Sequence, residues 1–325
     1  MGSGGAQYQL MHLANFLSKT KTVFILSYTE ETFFQEKLLP AVNQIIYTNK
    51  LAFFYGVLTH KKSSKAVISF LDFPNLINLL SVFVKTKTIY SERNGRPSLR
   101  RANWRSWPIW LGGMVVYNNF NLYEQSHAKI PIFIPNMRTS GRCGKIINNT
   151  KVSGILRVAV FASISRVKNP KTLLLMLEEI GLVQGNRIIV NWFGEIKESD
   201  YAKEISDLIR ESNNFNYQGP FRDLFALKDS YDVGLLFSDY EGFSNSILDH
   251  LTLGKPVIIA PGLNIGPELE ELVYEMSERS IASLENSFRW ALVTLDKGID
   301  PRLFEKKLDS YSQSKIGKLW LELIE

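Results

Sequence analysis

Residues 232–261 read DVGLLFSDYEGFSNSILDHLTLGKPVIIAP. An unbroken apolar run, Val233–Ser238, ends on the turn Asp239-Tyr-Glu-Gly-Phe. From about Ser244 the apolar residues recur at helical spacing, and a second apolar run begins at Pro256. Strand, turn, helix and strand in so short a stretch make one βαβ unit, and near-continuous apolar strands suit a parallel sheet covered on both faces. The turn places Glu241 beside the unpaired N–H groups of a helix start, where a negative charge is favoured. Ser244 or Asn245 can cap that helix, and Asp249 lies further along it, near enough to line the same side. A capping acid and a solvated acid would account for the same two carboxylates.

The same alternation runs outward in both directions. Strands are expected at Thr22–Tyr28, Ala66–Asp72, Lys87–Glu92, Met114–Asn118 and Ile130–Pro135, then at Leu156–Ile164, Arg187–Gly194, Asn214–Gly219, Val233–Ser238 and Pro256–Pro261. Helices are expected at Ala6–Lys19, Glu31–Pro40, Pro74–Val84, Pro170–Ile180, Ser199–Ser212, Asn245–Leu253 and Pro267–Glu278, and over Pro301–Glu325. Two successive α/β blocks imply two doubly wound, Rossmann-like domains facing a cleft. The polar stretch Met137–Ser153 sets the boundary, giving domains 1–150 and 151–325 and leaving open a return of the last helix towards the N-terminal domain. No apolar run approaches the ~20 residues of a membrane span. The lone Cys143 excludes an internal disulfide and fits a reducing, cytoplasmic compartment.

Charge divides the chain unevenly. Residues 1–150 hold 18 Lys and Arg against 6 Asp and Glu, and the rest hold 20 against 26. A basic first half favours an anionic partner, or is simply a solvated face. Leu99–Trp110 adds three Trp and three Arg. Trp104 and Trp107 would share one side of a helix, which suits peripheral contact with the inner face of a membrane or an acceptor groove, and equally a buried aromatic cluster. The basic residues follow no nucleic-acid-binding motif. His12, His60, His127 and His250 show no metal-ligand spacing, so no metal is expected. Asp239-x-Glu241 only faintly imitates an acidic metal motif.

Glu241-Gly-Phe-Ser-Asn-Ser-Ile-Leu-Asp249, with Leu251-Thr-Leu-Gly-Lys-Pro-Val-Ile behind it, resembles the E-x7-E motif of retaining, two-domain (GT-B) nucleotide-sugar glycosyltransferases, family 4 above all. The resemblance implies that Glu241 contacts the transferred sugar and that Asp249, one methylene shorter than the usual Glu, binds the nucleotide ribose. Val158–Lys171, with Lys168-Asn169-Pro170, resembles the segment whose Lys and Arg neutralise the leaving diphosphate. Ser163 stands where that Arg usually lies, so Arg166 is expected to replace it. Asn191-Trp-Phe-Gly194-Glu and Tyr217-Gln-Gly-Pro-Phe221-Arg-Asp are similar to segments beside the nucleotide. The donor set implied is Gly4, Gly5, Gly194, Phe221, Gly242, Phe243, Ser244, Asn245 and Asp249.

Ile68–Asn75 and Thr88–Pro97 resemble a subgroup that builds bacterial polysaccharides and lipid-linked oligosaccharides. There Glu92, Arg93, Asn94 and Arg96 would meet a saccharide or lipid-linked acceptor. Gly4-Gly5 and the amphipathic residues after it resemble the family's first loop and helix. Met1 stands where the preceding strand should end, so the first strand of the N-terminal domain is expected to be missing or to lie upstream. The implied reaction is transfer from a nucleotide diphosphate sugar, UDP-linked, which acts as co-substrate, and no cofactor is implied. An epimerase or hydrolase, or a nucleotide-sugar-binding protein without turnover, would use the same architecture.

Overall fold

The computed structural model of the chain describes residues 4–28, 35–93, 107–139, 154–184, 188–263 and 265–325. They form two compact units, Met1–Met137 with Ser310–Glu325, and Arg138–Asp309. The first unit starts with α1 (Gly5–Leu17), β1 (Val23–Ser27), β2 (Val42–Ile46) and α2 (Lys50–Ser63). It continues with β3 (Ala66–Phe70), α3 (Asp72–Leu80), β4 (Lys87–Glu92), α4 (Trp107–Leu111), β5 (Met114–Tyr117), α5 (Phe120–Glu124) and β6 (Ile130–Phe133). β1 and β2 pair in parallel, and β3-β4-β5-β6 form a second, wholly parallel sheet.

The second unit contains β7 (Leu156–Phe161), a 3-10 turn at Arg166–Lys168, α6 (Pro170–Gln184), β8 (Ile188–Phe193), α7 (Ser199–Glu204) and α8 (Ser206–Glu211). Then come β9 (Phe215–Gly219), β10 (Val233–Leu236), α9 (Asn245–Thr252), β11 (Val257–Ile259), β12 (Val273–Glu275), α10 (Ile281–Lys297) and α11 (Pro301–Leu308). The sheet runs β12-β11-β10-β7-β8-β9, all parallel. This is the doubly wound order, with the chain changing direction across the sheet between β7 and β10. Their backbones are sealed on both faces: Val158, Val160, Val233 and Leu235 on one side have no exposure, and Ala159 and Leu236 on the other are buried too.

The final helix, α12 (Gln313–Ile324), belongs to the first unit. Ile316 and Trp320 join Leu13 and Leu17 of α1, Phe70, Ile89 and Val116 in one apolar core. Trp320 stacks on Phe70 at 6.0 Å. A Cβ on Gly317 would sit 2.5 Å from the Phe16 ring, so only glycine lets α12 lie this close to α1 without displacing that ring. At the other side of the core Gln9 clasps the exit from β6. Its Nε2 donates to Met137 O at 2.9 Å, and Met137 N donates to its Oε1 at 2.7 Å.

Several elements differ from expectation. β2, α2, α5 and α10 have no counterpart in the pattern. In α2 the apolar residues go round the helix: Phe53 and Val57 are buried while Leu51 and Tyr55 face water, so no stripe betrays it. Of the expected helix Glu31–Pro40, residues 31–34 lie outside those described and only a 3-10 turn, Gln35–Lys37, forms in the remainder. Pro267–Glu278 is a 3-10 segment, Pro267–Leu272, running into β12. Buried Leu269 and Leu272, three apart, satisfy either helix, and the pairing of Val257 with Val273 decides for a strand. Ser199–Ser212 breaks at Ile205 into α7 and α8. Among the described residues no strand precedes α1, and no helix is long and apolar enough to cross a membrane.

Lys61 is buried, its Nζ donating to Asn78 O (3.2 Å), Asn78 Oδ1 (3.0 Å) and Ser81 Oγ (3.0 Å). Burial pulls its pKa down from 10.5 to about 8. Between those values the unfolded chain holds more protons than the folded one, so this group's contribution makes stability rise with pH. Denaturant unfolding across pH about 8 to 10.5 is expected to show a steeper rise in wild type than in Lys61→Met, since Lys255, also pulled down to about 8 by burial, adds the same slope to both.

Candidate functional site

The change of direction between β7 and β10 leaves an opening at their carboxyl ends, the place where doubly wound sheets bind ligands. Two charged side chains meet there. Lys168 closes the 3-10 turn after β7, and Glu241 sits in the turn after β10. Lys168 Nζ donates to Glu241 Oε1, and Ser238 Oγ donates to the same oxygen at 2.7 Å. The pair is mostly shielded, with side-chain exposures of 23% and 15%.

The two turns are stitched together around this pair. Asp239 N donates to Val167 O at 2.8 Å. Asn169 takes the left-handed conformation (φ 56°, ψ 41°), which Asn tolerates better than most residues. Its Nδ2 donates to Asp239 Oδ1 at 3.0 Å, and its Oδ1 accepts from Thr172 Oγ1 at 2.7 Å at the start of α6. Arg279, beyond β12, closes the arrangement. It pairs with Asp239 Oδ1 at 3.0 Å, donates to Ser238 O and lies over the Phe237 ring at 5.7 Å. Asp239 is thereby engaged by an arginine and an amide.

Arg166 is not brought to the Lys168–Glu241 pair. Its guanidinium bonds Glu204 Oε2 at 2.8 Å, lies 3.9 Å from Glu198 and covers the Tyr201 ring at 4.6 Å, with a side-chain exposure of 64%. Two carboxylates and a ring face on the α7 side hold it there, whereas Lys168, two residues on in a tight turn, faces β10.

Gly242, Phe243 and Ser244 are buried and lead into α9, whose first residue is Asn245. Ser244 occupies the cap position in extended conformation without a side-chain cap bond. Asp249 accepts from Thr139 Oγ1 at 2.6 Å. The next residue, His250, is wholly buried, stacks on Phe161 at 4.1 Å and meets the Tyr231 hydroxyl at 2.9 Å. Burial, aided by Lys255, lowers its pKa to about 3, so it is neutral and structural. Phe221 also packs against Phe161, at 4.8 Å.

Gly194 ends β8 against β7. Its N donates to Gly219 O at 2.9 Å, and its carbonyl accepts from the Tyr217 hydroxyl at 2.8 Å.

In the first unit, Glu92 and Arg93 lie at the end of β4. Arg93 donates through Nε to Ser91 Oγ (2.7 Å) and through Nη1 to Asn136 Oδ1 (2.9 Å), and lies over Phe70 and Trp320. Desolvation lowers its pKa to about 9, against the opposing pull of Glu92. Asn118 also donates to Asn136 Oδ1, at 3.2 Å. Asn94, Arg96 and Trp104 lie outside the described residues. Gly4 caps α1 in an extended conformation open to any residue, and a Cβ there would meet only the mobile end of Gln7. Gly5 is the first residue of the helix. The backbone therefore does not demand glycine at position 4.

Arg279, Thr139, Asn118 and Asn136 are lone polar residues outside any motif, so the sequence carries no local signal for them.

No family model matches the chain, and no curated protein matches it. Solved structures do. HepE of Anabaena, in complex with UDP and glucose, is 15% identical over 99% of this chain and 96% of its own, with a TM-score of 0.77. Sucrose-phosphate synthase from Thermosynechococcus elongatus is 12% identical over 98% and 92%, with a TM-score of 0.76. A glycosyltransferase from Rickettsia africae is 15% identical over 100% and 95%, with a TM-score of 0.71. The chain has the GT-B fold, two Rossmann-like α/β domains with parallel sheets.

A Cβ on Gly194 would lie 2.0 Å from Ala162 O, a backbone atom that strand pairing keeps in place. Gly194→Ala is expected to cost about 1–3 kcal/mol by forcing β7 and β8 apart, read as a lower midpoint in thermal unfolding.

Proposed function

We propose that this protein is a glycosyltransferase that takes a sugar from a nucleotide diphosphate donor, UDP-linked, and passes it with retention to a saccharide or lipid-linked saccharide in surface-polysaccharide synthesis. The observation that carries the reading is the Lys168–Glu241 pair at the junction of β7 and β10. The likeness in fold to HepE, solved with UDP and glucose, and the likeness of Glu241–Asp249 to the family 4 motif support it.

Departure of the diphosphate places negative charge on the leaving oxygens. A preorganised ammonium lowers the barrier by meeting that charge where it develops. Lys168 has that role in this reading, with the α9 start adding its backbone N–H groups. Glu241, released from Lys168 as the donor enters, holds sugar hydroxyls, with Ser238 keeping its carboxylate oriented. Asp249 takes the ribose, and Gly194 and Phe221 border the base. Gly242, Phe243, Ser244 and Asn245 offer the close backbone approach to the sugar and phosphates. Glu92 and Arg93 of the first unit receive the acceptor. No step calls for a metal. Arg166 would have to leave Glu204 and Glu198 to join Lys168, so its share is smaller.

The test is UDP release from a panel of UDP-sugars with and without lipid-linked saccharide. Lys168→Ala and Glu241→Gln are each expected to lower kcat by about 100- to 1000-fold, and Arg166→Ala by much less. Rates should survive EDTA. Full rates in both Lys168→Ala and Glu241→Gln would overturn the assignment, and loss of activity with EDTA would overturn the metal-free step.

A further inference from the structure

In the parallel sheet β3–β6 all strands start at one edge, opposite the end that carries Glu92 and Arg93. The register places Ala66 beside Lys87, Ile89 beside Met114, and Met114 beside Ile130. The turns that feed these strands therefore gather at that edge. Two of them are bolted together: Lys61 Nζ donates to Ser81 Oγ at 3.0 Å, and Thr86 Oγ1 donates to Lys61 O at 2.7 Å.

From this anchored base the turn after α3 projects Val82 and Phe83 into water, 65% and 69% exposed, beside Leu80 at 50%. Leu111 on α4 and Ile130 at the start of β6 are also exposed on that edge. Ser81, between Leu80 and Val82, is wholly buried and hydrogen-bonded, so the apolar tip is held outward by structure. Lys62, Lys65, Lys85, Lys87 and Lys129 are exposed in or beside these turns, against Glu124 and Glu325, the latter paired with Lys21 and near Lys65.

We infer that this edge docks on an anionic lipid bilayer, with Val82 and Phe83 entering the interface and the lysines facing the headgroups. An apolar tip inside a cationic ring matches both features of such a surface, an apolar interior and negative headgroups. A symmetric contact with a second copy would instead set lysines against lysines. The sequence reading placed membrane contact in Leu99–Trp110, whereas this surface is built from other segments. It does not depend on the proposed chemistry.

The experiment is cosedimentation of the full chain with vesicles of phosphatidylcholine, alone or mixed with phosphatidylglycerol, with no nucleotide sugar present. Wild type is expected to bind the mixed vesicles, less so as salt rises, and not the neutral ones. Val82→Ser with Phe83→Ser should lower partitioning roughly tenfold or more by removing apolar area. Each lysine lost should lower it roughly fivefold, so Lys85→Glu with Lys87→Glu should abolish binding. All four substituted positions are exposed, and unchanged thermal unfolding would confirm intact variants. The inference fails if wild type does not bind mixed vesicles, if it binds neutral vesicles equally, or if both variants bind as wild type does. It fails too if sedimentation equilibrium shows self-association through this edge without vesicle binding.

Discussion

An ammonium and a carboxylate far apart in sequence come together at the ends of β7 and β10, and much of the second unit follows from making that meeting possible. β7 and β10 must be neighbours although β8 and β9 intervene in the chain, which the doubly wound order allows by sending the chain first to one side and then to the other. Both strands must be buried on both faces, so Val158, Val160, Val233 and Leu235 on one face and Ala159 and Leu236 on the other are apolar and buried. The turns after them must be pinned, because a partly exposed ion pair supplies too little energy to order two loops by itself. Asn169, Asp239 and Arg279 do the pinning.

The first unit works by a different constraint. Its core is closed by a helix from the far end of the chain, with Trp320 laid against Phe70 and Arg93 above both rings. A guanidinium over apolar rings is partly desolvated, and its hydrogen bonds to Ser91 and Asn136 offset part of that cost. The polar end of the sheet and its core are thus coupled through one residue. At the opposite edge Lys61 ties Asn78, Ser81 and Thr86 together beneath a turn that leaves Val82 and Phe83 in water.

The sequence pattern conveyed the second unit well because its strands are continuous apolar runs punctuated by glycine and proline. It put Lys168 just after β7 and Glu241 just after β10, because each follows an apolar run that ends on turn residues. It missed α2, whose apolar residues lie on all sides, and β12, because Leu269 and Leu272 just before it fit a helix while pairing with β11 makes Val273–Glu275 a strand. Arg166 shows the limit most clearly. Two residues from Lys168, it was expected to do the same work, but Glu198, Glu204 and Tyr201, more than thirty residues later, hold it elsewhere.

By itself, then, the sequence determined the architecture of two α/β blocks and the local placement of chemistry at strand ends, because periodicity and turn residues act over a few neighbours. Tertiary structure alone decided which of those groups meet. Arg279 reaches Asp239, Thr139 reaches Asp249, Asn136 reaches Arg93, and Trp320 reaches Phe70 only after strands have paired. Such contacts depend on strand order and register, which no local pattern encodes.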